Sequence, residues 1–243
     1  MNNRWIKTRR SGLPAYKGLI IRAPEGLHED MLAAVQKYMP GSGRILDVGA
    51  GSGAFSLRLN DHGYDVLGVD TSRAAWKASS IAFVESDANA LPASLKEQFD
   101  AVCCQEVIEH VENPWHLLRQ LKETLRPGGF VFLSFPNIES FASRLRFLAT
   151  GQFVMFGRRE LSIGHINPVS VFEMTVISES LGLSIRDILA AGYLPLMDFT
   201  SLHPRQWLWN LGRVVVFLIA RGHKRGQAII LVLQSQTSSC HGW

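Results

Sequence analysis

The sequence predicts an α/β domain built on a doubly wound parallel sheet. Three observations predict it. Short apolar runs alternate with segments of helical spacing between residues 28 and 135. These runs are apolar throughout, as in strands covered on both faces. Glycines and polar residues recur just past the runs, where open α/β sheets bind their ligands.

Taken in order, residues 1–24 read as a loosely structured basic arm, and His28 to Met39 as a helix stopped by Pro40-Gly41. Arg44 to Val48 is the first strand. A helix from Ala54 to Asp61 ends at His62-Gly63. A strand from Val66 to Val69 leads to Asp70, a short helix is expected over Arg73 to Ser79, and a third strand runs from Ala82 to Glu85. Ala101 to Cys104 is the fourth strand. Pro114 to Leu125 is a helix, with Asn113 as its cap and proline in its first turn. Pro127-Gly128-Gly129 breaks it before a fifth strand, Phe130 to Phe135. The rhythm then stops. Residues 138–170 read as an insertion on the substrate side, with an amphipathic helix over Phe141 to Leu148. A helix from Val171 to Leu181 and strands from Leu183 to Leu189 and Ala228 to Leu233 close the domain, which is expected to span residues 25–243.

Composition bounds the class. With 47% hydrophobic and 19% charged residues the chain is globular. The start, MNNRWIKTRRSG, has no apolar run behind it and does not read as a signal peptide. Three cysteines, two of them adjacent at Cys103 and Cys104, fit no disulfide framework or zinc spacing, so a cytoplasmic setting is expected. Charge is uneven. Residues 1–22 carry six Lys/Arg and residues 199–243 carry five, with no acid in either stretch; the middle holds 14 basic and 21 acidic residues. Basic ends on an acidic body suit an anionic surface such as lipid headgroups, or serve solubility alone. The Trp-rich segment 199–225 contains an apolar run, Trp207 to Ala220, too short to span a bilayer and interrupted by Arg213. It reads as a covered helix or an interfacial one.

The stretch ILDVGAGSG, Ile45 to Gly53, carries the chemistry. Gly49, Gly51 and Gly53 allow a tight turn and close approach of a ligand, and the following helix aims its N-terminus at the site. Gly49-x-Gly51-x-x-Ala54 with Asp70 21 residues after Gly49 also fits a dinucleotide fingerprint. The acids argue otherwise. Asp47, at the end of the first strand, repels a pyrophosphate and suits a cation. Asp70 can take two ribose hydroxyls, and Asp87 an exocyclic adenine amine. An adenosine with an amine, a sulfonium and no phosphate satisfies this pattern.

The pieces ILDVGAGSGAFSLRL, YDVLGVDTS, VESDANALP and FDAVCCQEVIEHVENPWHLLRQLKETLRPGGFVFLSFPN, from Ile45 to Asn137, resemble in order and spacing the class I S-adenosylmethionine (SAM) dependent methyltransferases. The resemblance implies a Rossmann-like seven-stranded sheet, mostly parallel with its last strand antiparallel. It implies that Asp47, Gly49, Ala50, Gly51 and Gly53 cradle the methionine part. Asp70 with Thr71 would hold the ribose, Asp87 and Ala88 the adenine, and Gln105 the amine through its backbone.

The segment Glu106-Val107-Ile108-Glu109-His110 resembles that of the ubiquinone-biosynthesis type O-methyltransferases within this group. In some of them the two acids and the histidine hold a divalent metal; many relatives with the same letters bind none, and no metal is expected here. His110 is a candidate general base or substrate-facing residue. His165, in Gly164-His165-Ile166-Asn167-Pro168, is the second candidate catalytic residue, unless it and Asn167 cap a turn. The insertion carries Arg144, Arg146, Arg158 and Arg159, which suit phosphates and carboxylates, and loosely resembles methyltransferases of bacterial polysaccharide and glycolipid assembly. The expected reaction is methyl transfer to a small-molecule hydroxyl, on a sugar or lipid-linked sugar. A quinone-type aromatic acceptor and a non-catalytic SAM-binding protein are the alternatives. No nucleic-acid partner is expected; peripheral membrane contact fits the basic ends.

Overall fold

The computed structural model describes residues 14–192 and 222–236. A two-stranded hairpin, β1 (Ala15–Tyr16) and β2 (Leu19–Ile20), comes first, followed by α1 (Leu27–Tyr38), β3 (Arg44–Val48) and α2 (Ala54–Asp61). Next are β4 (Asp65–Asp70), β5 (Ala82–Glu85), β6 (Phe99–Gln105), α3 (Pro114–Thr124) and β7 (Leu125–Pro136). The insertion after β7 holds α4 (Phe141–Thr150) and α5 (Arg158–Ser162). Then α6 (Val171–Ser180), β8 (Leu183–Ala191) and β9 (Ala228–Ser235) follow among the described residues.

Seven strands form one sheet in the order β5-β4-β3-β6-β7-β9-β8. β3 to β7 pair in parallel, and β9 runs antiparallel to both β7 and β8. The expected sheet, with its antiparallel last strand, is therefore observed. Strand order reverses between β3 and β6, so the ends of these two strands, Asp47 to Gly49 and Gln105, flank the switch point.

Side chains alternate across the sheet into two cores. Leu46, Val48, Val102, Cys104 and Leu133 pack with Leu117 and Leu121 of α3 and Met174 of α6 on one face. Ile45, Ala101, Cys103 and Phe132 pack with Met31 and Val35 of α1 and Phe55 and Leu59 of α2 on the other. Cys103 and Cys104 thus sit buried on opposite faces as free thiols. The helix α3 starts as expected, with the Asn113 side chain accepting from His116 N.

Three details differ from the sequence reading. Residues 14–24 are not a loose arm. The hairpin docks on α2 through Tyr16 Oη to Asp61 (2.7 Å) and Lys17 to Asp61 (2.8 Å), and Arg58 lies over the Tyr16 ring. No helix forms at Arg73 to Ser79. Trp76 fills the space left by Gly53 and Gly68 and stacks on Phe83, while Lys77 N donates to Ser52 O; the chain follows these tertiary partners instead of its own i−4 carbonyls. Pro127-Gly128-Gly129 lies within β7, across from a register shift at Phe99/Ala101. Such an irregularity absorbs the extra residues. The Trp-rich segment up to residue 221 lies outside the described residues. Among the described residues no helix is long and apolar enough to cross a membrane.

Candidate active site

The glycine turn is held from two sides. Gly49 N and Ala50 N both donate to Val69 O of β4 (2.9 and 3.0 Å). Asp70 Oδ2 accepts from Gly51 N (2.8 Å), and Oδ1 from Ser72 N (3.0 Å). One carboxylate therefore links the loops after β3 and β4. Asp47 is buried beneath the turn, and its Oδ2 accepts from Ser56 Oγ of α2 (2.5 Å). Burial, with help from the Asp70 charge and against the Ser56 bond, pushes its carboxyl up to about 7.

A cleft of about 420 Å³ opens here, lined by Asp47, Gly49, Ala50, Gly51, Gln105 and the segment Ile20 to Ala23, among others. Five of the residues expected at the cofactor thus share one wall. Gln105 Oε1 is buried with no hydrogen-bond partner. Gly53 lies outside the lining, where a Cβ would press on Ala78 (2.6 Å) and Trp76 (2.9 Å). Thr71 and Asp87 are exposed at the strand ends, also outside the lining, with Ala88 beside Asp87; Asp87 Oδ1 accepts from Asn89 N (2.8 Å).

A second cavity of about 620 Å³ is lined by Pro24, Glu106, Pro136, Asn137, Ser140, Ala142, Val154, Met155 and Gln227. Ala23–Pro24 and Gln105–Glu106 are consecutive pairs, and each contributes one residue to either space. Glu106 has left-handed backbone (φ 52°), strained for a residue with a Cβ. Its Oε1 accepts from Ser134 Oγ (3.0 Å), and burial pushes its carboxyl up to about 7 against that bond. Glu109 is fully buried with both carboxyl oxygens unpartnered; burial, then the nearby Glu106 charge, raises it well above the usual carboxylate range.

The two histidines meet. The His110 and His165 rings stand edge to face with centroids 4.7 Å apart. His165 Nδ1 lies 3.0 Å from Met155 O, a carbonyl, so this nitrogen donates. Burial, then His165, lowers His110. Ile166 N and Asn167 N both donate to Glu109 O, which ties the insertion to the loop after β6. Neither histidine lines the cleft or the cavity. Ligand atoms of Glu109, His110 and His165 lie within 4.8 Å of one another. This set shares two members with the Glu106, Glu109 and His110 pattern and replaces the third. The cap of α6 is Ser170, in a capping box with Glu173.

Residues 23–188 match the family described as a methyltransferase domain. The chain belongs to that family. It is a SAM-dependent methyltransferase. Among curated relatives it is 29% identical over 170 residues to a ubiquinone biosynthesis O-methyltransferase of Pseudomonas fluorescens, across 66% of this chain and 73% of the relative. A SAM-dependent methyltransferase of Archaeoglobus fulgidus superposes with a TM-score of 0.56 at 21% identity, over 86% of this chain and 94% of its own. A 1,6-didemethyltoxoflavin-N1-methyltransferase of Burkholderia thailandensis, solved with 1,6-didemethyltoxoflavin and S-adenosylhomocysteine bound, superposes with a TM-score of 0.57 at 13% identity, over 87% and 79%.

The methyltransferase's own cleft fits its cofactor. The unpartnered Gln105 Oε1 needs a donor, as an ammonium supplies, and a Cβ on Gly51 would meet nothing within 4 Å, so the turn leaves open space above it. When bound, SAM supplies an electrophilic methyl on a sulfonium. Sequence reasoning missed Ile20 to Ala23 and His28 in the lining. The apolar run Leu19-Ile20-Ile21 between Gly18 and Pro24 was the available signal.

Asp47 gives the methyltransferase a pH signature. Its folded value lies above the ordinary 3.8, so its contribution to stability is full below that value and is lost as pH rises through about 7. A bound cation favours the ionised carboxylate and releases its proton. Affinity for SAM relative to S-adenosylhomocysteine, whose sulfur is uncharged, should rise between about pH 6 and about pH 8. Calorimetry at several pH values checks this; a flat ratio would place the sulfonium away from Asp47.

Proposed function

We propose that the enzyme methylates a hydroxyl on a small, largely apolar acceptor of the phenol or quinol type. The observation that carries this is the second cavity. Five of its nine lining residues, Pro24, Pro136, Ala142, Val154 and Met155, are apolar, and it adjoins the cleft through Gln105–Glu106. An aromatic ring suits such walls better than a sugar, which would leave many hydroxyls unpaired. The similarity to ubiquinone biosynthesis O-methyltransferases supports the same acceptor class. Methyl transfer by direct displacement asks the protein mainly to align the acceptor oxygen and exclude water. Glu106, in the cavity wall, is the group proposed to take its proton, since the His110–His165 pair lines neither space.

The proposed setting is cytoplasmic with peripheral membrane contact. Leu145, Leu148, Leu161, Ile163 and Phe172 are exposed around α4, α5 and the start of α6, among Arg144, Arg146, Arg158 and Arg159. This mixture suits an anionic bilayer surface.

One assay series tests the reading. Purified enzyme and SAM are offered a prenylated catechol and a lipid-linked sugar, with and without EDTA and anionic phospholipid vesicles. Methylation of the catechol, faster with vesicles, is expected. Turnover of the sugar alone would overturn the acceptor class. Activity abolished by EDTA and restored by magnesium would show a required cation, for which Glu109, His110 and His165 are the candidate ligands.

A further inference from the structure

We infer that Arg22, carried to the cofactor cleft by the N-terminal hairpin, binds the carboxylate at the methionine end of SAM and makes the enzyme selective for ligands that retain it.

The hairpin is held at two places. Tyr16 Oη and Lys17 Nζ both donate to Asp61, the last residue of α2 (2.7 and 2.8 Å). At the far end of the hairpin the Ser52 hydroxyl, within the glycine turn, donates to Ile20 O (2.7 Å), and Ile21 N donates to Pro14 O (2.8 Å). Ile21 is buried, and Pro24 O accepts from Leu27 N (3.1 Å) as α1 begins. Arg22 therefore sits on a stretch of chain fixed on both sides, one end of it by the glycine turn itself. It lines the cleft together with Asp47, Gly49 and Gly51. The hairpin and Arg22 precede residues 23–188, which match the methyltransferase family, so that match assigns them no role.

Charge singles out Arg22 within the lining. The methionine end of SAM carries an ammonium and a carboxylate. Asp47 in the wall and Asp70 at the rim suit the ammonium and repel the carboxylate. The turn's own amides do little to offset this. Gly49 N and Ala50 N donate to Val69 O, Gly51 N to Asp70 and Gly53 N to Ala50 O. Two basic residues line the cleft, Arg22 and His28. His28 is buried, and burial, then the Arg58 charge, lowers it to about 4, so it is neutral near pH 7. Arg22 is the cation that remains. It is exposed and has no ion pair among the described residues, so pairing with a ligand breaks no existing bond. A guanidinium presents N–H donors in the geometry of a carboxylate's two oxygens, and a partly buried pair is screened less than one on the open surface.

A ligand without the carboxylate gains nothing from Arg22. Decarboxylated S-adenosylhomocysteine, in which hydrogen replaces the carboxylate, keeps the adenosine, the thioether and the amine. In calorimetric titrations the wild type should bind S-adenosylhomocysteine roughly tenfold or more tightly than this analogue. Arg22→Ala should reduce the ratio to about twofold or less, through weaker S-adenosylhomocysteine binding, while the analogue binds as before. Arg22→Glu should invert the preference. A wild-type ratio in Arg22→Ala would overturn the inference, whether both affinities hold or both fall; in the second case Arg22 only shapes the cleft wall. Equal affinities for the two ligands in the wild type would overturn it as well, and that comparison needs no variant to fold.

Discussion

Replacing Asp70 by alanine should weaken S-adenosylhomocysteine binding by about a hundredfold or more. The Asp70 carboxylate accepts from Gly51 N at 2.8 Å and Ser72 N at 3.0 Å. Hydrogen bonds to a charged group contribute about 1.5–3 kcal/mol each, and two of them together hold the shape of the cleft rim. A carboxylate offers about four acceptor sites, so two remain for ribose hydroxyls. Losing the two loop contacts alone corresponds to about 3 kcal/mol or more if it falls on the bound state, which is about two orders of magnitude in Kd. Calorimetry on folded Asp70→Ala reads the effect directly. Asp70→Asn is the companion: it keeps one acceptor oxygen and should fall in between. Wild-type affinity in Asp70→Ala would mean that the nucleoside does not rest on β4 at all.

The second large effect is on the fold. Gly49→Ala should destabilise the protein by about 2–4 kcal/mol. Gly49 has φ +75°, and a Cβ there would collide with the Val107 side chain. The left-handed backbone costs an alanine about 1 kcal/mol, and overpacking adds about 1–3 kcal/mol. For a chain of this size the melting temperature should fall by roughly 5–15 °C. Gly51→Ala is the contrast. Its φ is +55°, yet nothing lies within 4 Å of a Cβ there. It should lose about 1 kcal/mol of stability while losing cofactor affinity, because its new methyl enters the space left for the ligand. Thermal melts with and without S-adenosylhomocysteine separate the two. Equal melting temperatures for the two variants would show that Val107 yields at little cost.

Much of the sheet was legible because its signals are local. β3 and α2 have the bounds read from the sequence, and β5 likewise, since an apolar run or an amphipathic repeat bounded by glycine or proline needs no distant partner to be recognised. The expected helix at Arg73 to Ser79 fails for the opposite reason. Its own spacing is helical, but Trp76 gains more by filling the gap beside Gly53 and Gly68 than the segment gains from one short turn of helix. The hairpin at residues 15–20 was missed because its strands are two residues each and depend on Asp61 and Arg58 of α2 for their place.

The sequence by itself determined the methyltransferase class, the doubly wound sheet and the glycine turn flanked by Asp47 and Asp70. These follow from residue types at fixed short spacings, where geometry is set by the backbone. Only the tertiary structure decided which side chains share a cavity. It brought Pro24, Glu106, Asn137, Met155 and Gln227 around one space, set His165 against His110, and left Asn137 Oδ1 and Gln105 Oε1 without partners. Those contacts join segments far apart in the chain, His110 and His165 by 55 residues and Pro24 and Gln227 by 203. Each depends on the packing of the whole sheet and its insertion, and burial, which shifts Asp47 and Glu106, has no counterpart in an unfolded string of residues.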